Sequence, residues 1–281
     1  MSSTTPEPPG GSGGSGFLKT ELGQQVGAFI GHLEELRNRL IKAILAVIVG
    51  MVICLFFSER LVGFLIRTAG NPDQIKFSLL TPSEGILVYL KVGLVAGLFL
   101  SSPVWFAQLW GFISPGLYSR EKRVVMPIIA ASVGAFLIGA AFGYVILPFT
   151  AEYFRSFATE QIQNVWSLSS YVNMSLQFML AFGVVFELPL LIYAAASLGL
   201  VTPAQLRKYR RHAVVGILVI AALITPGPDV FSQVVVAVPL LVLFEVGILM
   251  AGFAQRKRGK ADQEQPPSPP AQSQPPSPPR R

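Results

Sequence analysis

"FMLAFGVVFELPLLIYAAASLGL", residues 178–200, is 23 residues long and holds one charged side chain, Glu187. At about 1.5 Å per residue a helix of this length crosses the ~30 Å hydrocarbon core of a bilayer. A helix on a water-soluble domain would interrupt such a run with a polar face every few residues. The stretch therefore reads as a membrane span, expected over about Tyr171 to Leu200, and the rest of the chain is read outward from it.

The composition agrees. Of 281 residues, 52% are hydrophobic and only 13% are charged, against about a quarter charged in soluble domains. The pattern is that of a polytopic membrane protein. Apolar runs predict further spans at about 41–57, 81–112, 124–147, 212–224 and from 230 to the basic cluster at Arg256. Ahead of the first, Phe29, Leu33, Leu36 and Leu40 form one helical stripe, predicting an amphipathic surface helix that feeds into that span. "TPSE" at 81–84 offers Thr81 as N-cap, Pro82 at the first helical position and Glu84 to close a capping box. Thr202, Pro203 and Gln205 repeat the device at a short surface helix. Residues 1–16 have linker composition and lack the layout of a cleaved signal peptide. The tail from 254 is basic and then carries "QPPSPP" twice, which favours extended, disordered chain. The membrane domain is thus expected over 17–253.

Six spans put both termini on one side, and basic residues identify it. The N-terminal segment, the 113–123 turn, the 201–211 turn and the tail hold 17 of the 22 Lys and Arg residues. Both termini are expected to be cytoplasmic. The net charge of +7 gathers at the ends of apolar segments, which argues against nucleic acid as partner and for the lipid bilayer. The lone thiol, Cys54, excludes an intramolecular disulfide. With His32 and His212 it gives no metal site of familiar spacing, and no cofactor or nucleotide loop is expected.

Two spans look short. The 13 residues His212–Ile224 reach roughly 20 Å, and span six has an apolar stretch of only eleven residues, Val234–Phe244, between Gln233 and Glu245. Packing inside a bundle and local thinning of the bilayer explain this equally well.

The polar groups narrow the function. Glu187, deep in its span, is costly unless protonated, paired or in a wet cavity, and Pro189 predicts a bend beside it. Its rival reading is a polar knot with Gln177, Gln233 or another helix. Glu121 stands in the basic turn "ISPGLYSREKR" (113–123). It has an ordinary role as a first-turn acid after a Ser119 cap. Glu35 has one too, because Arg39 lies four residues ahead in the favourable orientation. Together, however, they place two carboxylates on one membrane face, each beside a span entrance, which suits a cationic ligand from the cytoplasm. Asp229 reads as a cap of span six, with Gln233 one turn on. Gly93/Gly97 and Gly139/Gly143 permit close helix contact without naming a partner.

Five motifs, "HLEELRNRL" (32–40), "TPSEGILVYLK" (81–91), "SPGLYSREKR" (114–123), "FGVVFELP" (182–189) and "TPGPDVFSQ" (225–233), occur in the order and spacing of the TatC family, the polytopic subunit of the twin-arginine translocase, which the chain resembles over about residues 25 to 253. The resemblance implies an all-α fold of six transmembrane helices in a concave bundle, in the cytoplasmic (plasma) membrane. It implies a receptor, not an enzyme, for signal peptides bearing two consecutive arginines on folded cargo, driven by the proton-motive force. The family's signal-binding glutamates fall on Glu35 and Glu121, with Arg37 and Phe112 in the same recognition surface. Its intramembrane glutamate falls on Glu187. Contact points for small single-span subunits of the TatA/TatB type fall on Asp229 and Gln233. The sequence departs from some relatives at Asn38 and Ser119, where those carry basic residues, which strengthens the field of Glu35 and Glu121. A guanidinium donates two parallel hydrogen bonds to a carboxylate, so paired arginines suit paired acids. The alternative from another class is a proton-coupled small-solute transporter with Glu187 as proton relay, but the inverted repeats such proteins show are not found.

Overall fold

The computed structural model describes residues 14–70, 76–117, 122–157, 165–225 and 230–263. They are almost entirely helical: α1 (Gly14–Leu55), α2 (Ser58–Ile66), α3 (Glu84–Leu100), α4 (Ser102–Leu117), α5 (Lys122–Arg155), α6 (Leu168–Phe186), α7 (Leu188–Ser197), α8 (Pro203–Lys208), α9 (Arg210–Ile224) and α10 (Val230–Gln263), with two three-residue strands, β1 (Lys76–Ser78) and β2 (Val165–Ser167). Among the described residues four helical stretches are long and apolar enough to cross a membrane, or five if the bent pair α3–α4 is one span. The protein is an all-α polytopic membrane protein. The expected surface helix at 17–40 and span one are one unbroken helix, α1, within which Ile30–Leu55 is long and apolar enough to cross a membrane. Helix also extends past both boundaries expected for the membrane domain, since α1 begins at Gly14 and α10 ends at Gln263.

The chain forms two compact units. The first joins α1 to the segment Tyr89–Val133. Here the expected second span is broken: α3 and α4 meet at 57° around Ser101. Pro103 has no N–H to continue the α3 ladder. One residue before the i−4 position of this proline, the carbonyl of Leu98 accepts from the indole N–H of Trp105 (3.1 Å) and the hydroxyl of Ser101 (3.4 Å). Irregular backbone at membrane depth must be satisfied in this way. The spacing Gly93/Gly97 finds its partner in α1. A Cβ on Gly97 would stand 2.3 Å from the backbone nitrogen of Met51, and one on Gly50 would stand 2.6 Å from the carbonyl oxygen of Gly97. Backbone thus lies directly on backbone, as small residues allow where lipid supplies no hydrophobic drive. Trp110, buried on α4, donates its N–H to the hydroxyl of Ser132 at 2.7 Å.

The second unit comprises Gly63–Val88 and the chain from Gly134 onward. Its core packs Leu147 and Ala151 of α5, Phe178 and Phe182 of α6, Ala221 of α9 and Val236 and Leu240 of α10. Gly139 and Gly143 lie against the backbone of α6 at Phe182 and Phe178. Glu187 separates α6 from α7, its N–H turned to the Val184 carbonyl at 3.1 Å, so the break beside Pro189 is present. Two connections that read as irregular from sequence pair as a parallel ladder, with Phe77 opposite Trp166 and Ser78 opposite Ser167. Glu84 ties them to α3. One oxygen accepts from the N–H groups of Leu80 and Thr81, the Thr81 bond being the glutamate half of the expected capping box, and the other accepts from the Ser167 hydroxyl and the Ser169 N–H.

After α7 the chain turns through Gly199, at φ +76°, with Leu200 N–H on the Ala195 carbonyl and Gly199 N–H on Ala196. This is a Schellman end. It hands directly to the reciprocal capping box of Thr202 and Gln205 that opens α8. The expected fifth span, α9, has 15 residues, about 22 Å of helix. The sixth is longer than its apolar stretch suggests. α10 runs straight through Glu245, whose carboxylate is met by Arg210 of α9, so that charge is neutralised within α10 and does not end it.

Candidate functional site

The acids and bases of "HLEELRNRL" sit in mid-α1, where the helix repeat decides their partners. Residues three and four apart are neighbours. Glu34 meets Arg37 at 3.8 Å with both side chains about two-thirds exposed (65% and 68%), a pair that contributes little in water. Glu35 and Arg39 are more engaged. Arg39 Nε and Nη2 donate to a single oxygen, Glu35 Oε1, at 2.9 and 2.7 Å.

Glu35 lines a concavity of about 450 Å³ with Gly31, Glu34, Asn38, Arg39 and Lys42 of α1 and Gln108 of α4. Its lining charges balance, two acids against two bases, so it is a polar seat more than a strong anionic field. α4 contributes two further features that the sequence did not reveal. Gly111 leaves room for the Arg39 guanidinium: a Cβ there would lie 2.3 Å from Nη1. Phe112 stacks on His32, one turn before Glu35, with ring centroids 4.4 Å apart and planes 19° apart. The structure therefore brings Glu35 and Phe112 onto one α1–α4 surface, with Arg37 exposed on α1. The Glu35–Arg39 spacing signalled the ion pair and the family resemblance grouped Arg37 and Phe112 with Glu35, whereas the Gly111 notch and the His32 stack had no signal in the sequence. Glu121 lies outside the described residues.

The second group lies in the other unit. Glu187 is buried, 7% exposed, at the α6–α7 joint. Gln177, offered as its knot partner, is exposed. Gln233 donates its amide N–H to the Leu218 carbonyl at 2.9 Å, fastening α10 to α9. Asp229 lies outside the described residues.

A family model described as Sec-independent protein translocase protein (TatC) matches residues 31–239. A protein of Desulforapulum autotrophicum named Sec-independent protein translocase protein TatC is 40% identical over 241 residues, covering 84% of this chain and 88% of the relative. One of the same name from Helicobacter pylori is 42% identical over 221 residues, covering 78% and 85%. Among solved structures, one titled as a crystal structure of the twin arginine translocase receptor TatC matches with TM-score 0.72 and 34% identity, covering 80% of this chain and all of that one.

Proposed function

This chain belongs to the TatC family, the core polytopic subunit of the twin-arginine translocase, and on that premise we propose that its α1–α4 face is where the arginine pair of a signal peptide docks. One observation carries the assignment of Glu35: on the wall of a 450 Å³ concavity this carboxylate already accepts two N–H donors from a guanidinium, so its position and geometry suit that ligand. Glu121 supplies the second carboxylate. Arg37 and Phe112 flank the seat, the ring of Phe112 offering an apolar edge to the signal's hydrophobic segment.

In this reading the protein lies in the plasma membrane with six spans, α9 included, and both termini in the cytoplasm. The membrane domain is flanked by the linker-like residues 1–16 and the Pro-rich tail. Glu187 lies where the inserted signal segment passes. Asp229 and Gln233, at the start of α10, meet small single-span subunits that assemble for the passage of folded cargo at the expense of the proton-motive force. A single subunit of this size has no room to pass a folded domain through itself, so it organises the pathway and does not form it. Crosslinking of a twin-arginine peptide tests the docking step. It is expected to fall in Glu35→Ala and in Glu121→Ala, and undiminished crosslinking in both removes the assignment.

A further inference from the structure

Docking at Glu35 has to contend with an arginine that is already there. The Nε/Nη2 edge of Arg39 is spent on Glu35 Oε1, and the arginine is the more sheltered partner, 28% exposed against 41% for the glutamate. Its shelter comes from α4. A Cβ at Gly111 would lie 2.3 Å from Nη1 and 3.1 Å from Cζ, so the guanidinium would have to shift from this seat if position 111 carried a side chain. Helix geometry explains why Glu35 and Arg39 meet. It does not explain why the facing helix has no side chain at the spot where the guanidinium lies. The group is seated at both ends, by a carboxylate on one edge and by a glycine notch at the other.

We propose that Arg39 is a resident guanidinium that sets the specificity of the site, and that a signal peptide must displace it from Glu35 to bind. The proposal rests on the docking assignment above. Exchange of one guanidinium for another conserves the planar fork and its parallel N–H donors, so the first arginine of a signal replaces Arg39 at no net loss, and the second arginine supplies the surplus. A lysine ammonium is a compact, strongly hydrated charge without that fork. It has to break two charge-assisted hydrogen bonds and returns a poorer set. The displaced Arg39 remains beside Glu34, Asn38 and Gln108 of the same concavity, all of which carry acceptor oxygens. The resident pair therefore penalises lysine more than arginine and turns a general cation seat into an arginine-selective one.

The experiment measures the affinity of the full-length protein, in lipid nanodiscs, for two fluorescent signal peptides that differ only in an Arg-Arg or a Lys-Lys pair. Arg39→Gln is expected to raise Lys-Lys affinity more than Arg-Arg affinity, shrinking the arginine preference by about fivefold, the weight of one net hydrogen bond. Arg39→Lys keeps the charge and loses the fork, and Gly111→Ala keeps Arg39 and closes its seat. Both are expected to lower the preference as well, which separates exchange from mere relief of repulsion. An unchanged preference in Arg39→Lys and Gly111→Ala overturns the proposal, and so does loss of Arg-Arg binding in Arg39→Gln as complete as in Glu35→Ala, since Arg39 would then only order the carboxylate. Undiminished Arg-Arg binding in Glu35→Ala instead overturns the docking assignment itself.

Discussion

Gly97→Ala adds one methyl group and is expected to disturb the first unit more than any surface change of that size. An ideal Cβ at this position would stand 2.3 Å from Met51 N, 2.6 Å from Met51 Cα and 2.7 Å from Gly50 C. Real contacts of that kind begin near ~3.4 Å, so α1 and α3 must separate by about 1 Å, and backbone atoms cannot swing aside as a side-chain tip would. Overpacking of this kind costs about 1–3 kcal/mol. Helix propensity works in the other direction, since alanine is favoured over glycine by up to about 1 kcal/mol in a helix interior. The net expectation is destabilisation by up to about 2 kcal/mol, measured as unfolding of the purified protein in mixed micelles of rising denaturing-detergent fraction. Gly134→Ala is the matched control. It lies in α5 with no atom within 4 Å of its ideal Cβ, so only the propensity gain applies and stability should hold or rise. The same displacement moves α1, which carries Glu35, relative to the segment leading into α4, which carries Gln108 and Gly111. Gly97→Ala should accordingly weaken twin-arginine peptide binding while Gly134→Ala leaves it unchanged. Equal stability and equal binding in the two variants would refute the claim that backbone contact at this crossing sets the site.

Glu84→Ala removes the acceptor of four hydrogen bonds that join α3 to both strand segments; hydrogen exchange should quicken at the amides of Leu80 and Ser169, with Glu84→Gln closer to wild type. Glu187→Leu replaces a buried carboxylate by an apolar side chain of similar reach, a change that is often neutral or stabilising for folding. Its unfolding midpoint should hold or rise while export of a folded twin-arginine reporter falls, and retained export would show that the acid has no part in transport. Gln233→Leu loses the bond to the Leu218 carbonyl and should cost about 0.6 kcal/mol, the typical worth of an interhelical hydrogen bond in a membrane protein. Arg210 and Glu245 are about half exposed, so a double-mutant cycle should return a coupling of about 0.2–1 kcal/mol that shrinks with added salt.

What the sequence disclosed was mainly local. The boxes at Thr81–Glu84 and Thr202–Gln205 are set by residues three apart, and Pro189 acts on its own turn, so each could be read without a fold. The glycine pairs were legible as permission for close contact, but their partners Gly50 and Gly183 lie on other helices and carry no mark of that role. Two features of the spans depend on backbone chemistry and distant partners that hydropathy does not report. The run from 84 to 112 is mostly apolar and reads as one span, yet "SSP" at 101–103 removes a donor and the two halves meet at 57°. Glu245 made the apolar stretch of span six look short, because a lone charge is costly in lipid. Arg210, 35 positions earlier, cancels it. The β1–β2 pairing was invisible for the opposite reason: three residues per strand give no periodicity to detect, and the ladder depends on Glu84 holding both connections from a third element.

The Glu35–Arg39 pair shows why a correct local reading can still understate a site. From sequence the pair is an ordinary intrahelical ion contact, which accounts for Glu35 without any ligand. The structure keeps that contact and adds Gly111, and the addition changes its meaning. A surface pair gains little from having its cation sheltered by a second helix, because shelter removes hydration from the guanidinium that the carboxylate must replace. Stability alone would therefore favour a larger residue at 111 and an Arg39 left in water. The notch costs packing between α1 and α4 and returns a fixed guanidinium at the mouth of a polar concavity. That exchange is hard to explain for a scaffold, and it suits a receptor whose ligand bears the same chemical group.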